Sequence, residues 1–119
     1  MTIADKEGKM INIEKIKLDI IEKLKPLNPY QIILFGSYAY GIPTEDSDID
    51  LYVVTNDEFM PQTWKQKSEV QQKISRAIRD IMKKYPTDLI IHTKAMHKKF
   101  VEMDSMFSRK ILNEGVVIL

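Results

Sequence analysis

Ile13, Ile16, Ile20, Leu24 and Leu27 recur every three or four positions, which predicts an amphipathic helix over residues 12–25 stopped near Pro26. The rhythm then changes. QIILF at 31–35 and IDLYVV at 49–54 are short continuous runs of strand-forming residues, and DLIIHT at 88–93 is a third. Between the second and third, Pro61 opens a long helical pattern whose stripe is Val70, Ile74, Ile78, Ile81 and Tyr85, closed by Pro86. Another stripe, Met96, Phe100, Met103, Phe107 and Ile111, predicts one helix from Lys94 to the C′ position at Gly115. The tail VVIL reads as an edge strand.

These elements predict a mixed α/β (α+β) domain over residues 1–119, a small sheet flanked by helices in the order α-β-α-β-α-β-α, with a short helix starting at Ser37. A helix joins the second and third strands, which favours a parallel crossover. Only about a dozen residues join the first and second, which favours an antiparallel pair. Such a sheet brings Gly36-Ser37, Asp48 and Asp88 to one edge.

Composition narrows the function. The chain has no cysteine, so neither a disulfide framework nor a thiolate metal site is available. The amino-terminal stretch lacks an apolar signal core and no run is long enough to span a bilayer, which leaves a cytoplasmic protein with no membrane partner as the expectation. A formal net charge of +1 argues against nucleic acid as the partner. The charge is unevenly spread. Residues 1–60 hold 6 basic against 11 acidic side chains, and residues 61–119 hold 12 against 6. Glu45, Asp46, Asp48, Asp50, Asp57 and Glu58 have no basic residue among them, so the cluster calls for solvent, protonation or a cation.

Asp48 and Asp50 sit on one face of a strand, their Cα atoms about 6.5–7 Å apart. Carboxylates so placed can bridge a pair of Mg²⁺ ions about 3.5–4 Å apart, and an all-oxygen set suits Mg²⁺ or Mn²⁺ over Zn²⁺. Asp88 would add a third carboxylate. Gly36 lets the backbone approach a phosphate, and Ser37 with the amides after it can form an anion nest. An EF-hand reading of Asp46-x-Asp48-x-Asp50 fails, because Leu51 and Asp57 stand where that loop needs Gly and Glu.

Gly36-Ser37, ten residues, then Asp48-Ile49-Asp50 resembles the signature of the DNA polymerase beta nucleotidyltransferase superfamily, and the chain's size resembles its minimal (MNT) group. The resemblance covers residues 31 to about 93, with Asp88 at the place of the third carboxylate. It implies a palm-like mixed sheet and Mg²⁺-dependent transfer of a nucleoside monophosphate, most simply AMP from ATP. It also implies a HEPN-family toxin as partner, an antitoxin role, and a toxin tyrosine as acceptor. Catalytic and metal-binding roles fall to Asp48, Asp50 and Asp88, and phosphate binding to Gly36, Ser37 and Tyr40. Relatives often carry Arg after the Gly-Ser pair, whereas this chain has Tyr38-Ala39-Tyr40. Phosphate charge would then rest on metal, amides or a base from elsewhere, with Arg109 and Lys110 as candidates.

Rival readings stay open at this stage. The fold could serve as a non-catalytic binding module, or act on a small molecule once a partner subunit or homo-oligomer completes the pocket. The basic helix from Lys65 to Lys84 reads as a solvated face with Glu69–Lys73 and Asp80–Lys84 pairs. His92 and His97 read as structural or exposed, with His92 on the Asp88 face of its strand. Trp64 reads as packing. Some of the seven methionines could serve an adaptable partner surface.

Overall fold

A computed structural model describes residues 2–4, 10–41, 43, 44 and 46–119. Strands β3 (Gln31–Phe35), β4 (Ile49–Val54) and β5 (Thr87–His92) follow strands β1 (Thr2–Ala4) and β2 (Met10–Asn12) and helix α1 (Ile13–Leu24). Helix α2 (Ser37–Tyr40) lies between β3 and β4, and helices α3 (Trp64–Ala77) and α4 (Arg79–Lys84) between β4 and β5. Helices α5 (Lys94–Met103) and α6 (Met106–Glu114) precede strand β6 (Val116–Val117). The four-stranded sheet has the order β5-β4-β3-β6. As the connection lengths predict, β3 and β4 are antiparallel, β4 and β5 parallel, and the tail strand β6 pairs antiparallel with β3.

Both faces of this sheet are covered, which is why its central strands are continuous apolar runs without alternation. Ile32, Leu34, Ile49, Leu51, Val53 and Ile91 pack against the buried stripes of α1, α3 and α4. On the opposite face Ile33, Phe35, Tyr52 and Val54 meet Ile111, with Phe100 and Leu112 beside them. This second layer is thinner, and α5 contributes no fully buried residue to it.

Three features depart from the pattern read above. A two-stranded hairpin, β1 with β2, precedes α1, and its three-residue strands are too short to show a period. The long central helix breaks at Ile78, whose φ of −107° and ψ of 21° interrupt the ladder while its side chain stays in the core. The last helix breaks at Asp104, which takes the left-handed conformation with φ 48° that Asp tolerates better than most residues. Ser105 then caps α6, accepting a hydrogen bond from the Ser108 amide at 3.0 Å. Ser105→Ala is expected to lower stability by about 1 kcal/mol, read as a reduced denaturant midpoint with an unchanged slope.

Side-chain pairing also differs. Lys73 reaches Asp57 at 3.8 Å and not Glu69. Trp64, read as packing, is 80% exposed at the start of α3. Among the described residues, no helix is long and apolar enough to cross a membrane.

Candidate active site

The sheet register brings the acidic residues together. Phe35, Asp50 and Asp88 lie side by side across β3, β4 and β5. Cross-strand partners point to the same face, so Asp50 and Asp88 project from one edge of the sheet toward the side carrying α5 and α6. Asp48 lies two residues before Asp50, just outside the strand. The Ile49 amide donates to the Pro86 carbonyl at 2.8 Å and fixes the parallel start of β4 against β5.

The Asp50 carboxyl feels the other two. Burial, then the negative charges of Asp88 and Asp48, push the Asp50 carboxyl above the usual carboxylate range. Among the described residues, no lysine, arginine or histidine stands in ion-pair range of Asp48, Asp50 or Asp88. Nor do three acidic or histidine side chains among them close into a ready cage. An all-oxygen donor set under mutual repulsion fits Mg²⁺, which is held by one or two carboxylates together with water and substrate phosphates.

Gly36 completes the arrangement for a reason the sequence does not show. Its φ of 74° and ψ of −155° fall in a region essentially reserved for glycine. A Cβ there would overlap Asp50 Oδ2 and stand 3.0 Å from Asp50 Cγ. The absent side chain is the space that the Asp50 carboxylate occupies. Ser37 then opens α2, where the Ala39 amide bonds to the Gly36 carbonyl at 3.0 Å and the Gly41 amide to the Ser37 carbonyl at 3.1 Å. First-turn amides of a helix have no intrahelical acceptor, so those of Ser37 and Tyr38 are available to an anion.

A family model described as polymerase beta, nucleotidyltransferase matches residues 14–119. The chain belongs to the polymerase beta nucleotidyltransferase family. Among solved structures it is similar to a toxin–antitoxin complex with AMP-PNP, at 22% identity and a TM-score of 0.53, over 87% of this chain and 72% of that one. It is also similar to a MntA–HpeT toxin–antitoxin mutant, at 20% identity and a TM-score of 0.50, over 92% and 73%. A third similar structure is a tri-AMPylated Shewanella oneidensis HEPN toxin in complex with MNT antitoxin, at 20% identity and a TM-score of 0.49, over 91% and 72%. These likenesses concern the fold. No curated protein matches.

In this nucleotidyltransferase, Tyr38 is a core residue. Its hydroxyl is pushed above the usual tyrosine range by burial, then by Tyr85 and Asp48. Tyr40 belongs to α2 by its backbone, while its side chain, like Glu45, lies outside the described residues. Arg109 is exposed on α6 and forms a two-pronged pair with Asp104 at 2.7 and 2.8 Å. Lys110 is likewise exposed beside it on α6.

The predicted Met96–Ile111 stripe divides at the helix break. Ile111 is buried, but Met103 and Met106 are 69% and 88% exposed and Phe107 is 48% exposed. Phe107 meets Phe35 edge-on at 6.2 Å between ring centres. An exposed apolar corner therefore flanks Phe35, the cross-strand neighbour of Asp50.

Proposed function

We propose that this nucleotidyltransferase moves a nucleoside monophosphate, AMP from ATP, onto a hydroxyl group, and that the acceptor is a tyrosine of a HEPN-type partner which it thereby neutralises. The observation that carries the reading is the register Asp50–Asp88 with Asp48 two residues before, against a Gly36 backbone shaped around the Asp50 carboxylate. Family membership supports the reaction class. A structure of similar fold contains AMP-PNP in a toxin–antitoxin complex, in keeping with ATP as donor and a toxin as partner.

The acceptor oxygen forms a bond to the α-phosphorus as the bond from that phosphorus to the bridging oxygen breaks, and pyrophosphate leaves. Asp88 is the third carboxylate, and it takes the acceptor proton. Asp48, Asp50 and Asp88 would hold two Mg²⁺ ions (Mn²⁺ in their place), which when bound supply charge neutralisation for the phosphates and the leaving group. The backbone at Gly36-Ser37 seats the phosphate chain, with Tyr40 on the same short helix. The apolar corner at Met103, Met106 and Phe107 offers the partner a surface next to the acceptor position, and its flexible methionines adapt to a protein face.

One observation favours a second reading, a binding module that neutralises its partner by complex formation alone. The α2 segment has no base, and Arg109 is occupied by Asp104. The two separate in one experiment. The protein is incubated with ATP and Mg²⁺, with and without a HEPN-type partner, and intact masses are recorded. An AMP-sized increment on the partner supports transfer, whereas a stable complex without an increment supports the binding module.

A further inference from the structure

Two residues beyond Asp50 on the same face of β4, Tyr52 is fully buried with its hydroxyl shared between two imidazoles. The oxygen lies 2.9 Å from His92 Nδ1 at the end of β5 and 2.7 Å from His97 Nδ1 in the first turn of α5. We propose that Tyr52, His92 and His97 form a proton-sensitive latch that holds α5 on the carboxylate-bearing face of the sheet and releases it when the imidazole that accepts the phenol proton is itself protonated.

A phenol has one proton. It donates to one Nδ1 and accepts from the other, so at neutral pH one ring carries its proton on Nδ1 and the other on Nε2. Protonating the acceptor ring turns both Nδ1 atoms into donors facing one oxygen, and the phenol proton loses its acceptor. The surroundings oppose the added charge. Burial, then His97 and Lys67 of α3, lower the His92 pKa, and burial lowers that of His97. Lys94, Lys98 and Glu102 line the hollow beside His97, and Lys99 lines the one beside His92. Lys94 also pairs with Glu58 at 4.0 Å. Burial holds the Tyr52 hydroxyl far above the ordinary tyrosine range, so the phenol stays protonated.

The latch matters because α5 has no fully buried residue. The Lys94 amide, which donates to the Asp57 carbonyl at 2.8 Å, and the Thr93 cap tie down its N-terminal end, and its main side-chain anchor beyond the latch is Phe100, stacked on Tyr52 at 5.1 Å. Phe100 touches Phe107 at 6.2 Å, and Phe107 touches Phe35 beside Asp50. Tyr52, His92 and His97 are thus positioning residues for the wall of the candidate site, a consequence that rests on the proposed function, whereas the latch itself does not.

A histidine whose folded pKa is lowered binds protons more readily in the released state. The docked state is fully favoured above about pH 6.5 and weakens as pH falls through the unfolded value toward the folded one. Hydrogen exchange of the full chain, without nucleotide, tests this. After correction for intrinsic rates, α5 amides should exchange about tenfold faster at pH 5.5 than at pH 7.5, while α1 amides do not change in step. Tyr52→Phe keeps the ring and should give fast α5 exchange at both pH values. Should that variant not fold, His92→Asn/His97→Asn, whose amides can still meet the phenol without titrating, should remove the pH step. Nitrogen-15 shifts of the histidine rings should show one Nδ1-protonated and one Nε2-protonated ring at pH 7.5. Two rings of the same tautomer, or an α5 step that persists in Tyr52→Phe or in the double variant, would overturn the latch.

Discussion

Asp50→Asn is expected to reduce nucleotidyl transfer by about 10³-fold or more while leaving the protein folded and more stable than the parent at pH 7 without metal. The carboxylate lies between Asp88 and Asp48 and is the most buried of the three, so its charge is both the most useful toward a cation and the most costly without one. Its folded pKa is raised, so its contribution to stability is fully present below the unfolded carboxyl pKa and is lost as pH rises through the folded value. Asparagine removes that loss. The gain in melting temperature should therefore be seen at pH 7 and be absent near pH 3.5. Added Mg²⁺ should stabilise the parent and have little effect on the variant. Transfer that survives in both Asp48→Asn and Asp50→Asn, measured by intact mass, would refute the mechanism. A variant that melts below the parent at pH 7 would instead refute the repulsion argument.

Gly36→Ala should lower both stability and transfer. Two costs coincide there: the glycine-only backbone conformation and the overlap of the new Cβ with Asp50 Oδ2. Together they amount to about 3 kcal/mol, or about 12 °C in melting temperature for a domain of this size. Transfer should fall as well, because relief of the overlap moves the Asp50 carboxylate. The two costs separate in a double-mutant cycle. Asp50→Ala removes the overlapping oxygen but not the backbone strain, so Gly36→Ala should cost about 1–2 kcal/mol less in the Asp50→Ala background. Strict additivity would show that Gly36 and Asp50 do not press on one another.

The sequence by itself determined β3, β4 and β5 almost to the residue, the antiparallel and parallel pairings, and the edge strand at the tail. Continuous apolar runs bounded by Pro, Gly and Asp admit few alternatives, and connection length limits how neighbouring strands can pair. The family signature was legible for the same reason. Gly36-Ser37 and Asp48-x-Asp50 are fixed by local backbone needs at the end of one strand and the start of the next.

Tertiary structure alone decided the rest. The break at Ile78 leaves the apolar stripe of the central helix intact, because a stripe records which face is buried and not whether the hydrogen-bond ladder continues through it, whereas the break at Asp104 divides its stripe and turns Met103 and Met106 outward. The exposure of Trp64, Met103 and Met106 could not be read from their chemistry, since apolar side chains occur on both sides of a protein surface. Gly36 looked like a residue kept for phosphate and proved to be shaped by Asp50, fourteen residues away. Nothing local in Tyr52, His92 or His97 points to a shared hydrogen bond. They meet only because β4, β5 and α5 converge, and contacts between residues 40 and 45 positions apart exist only after the chain has folded.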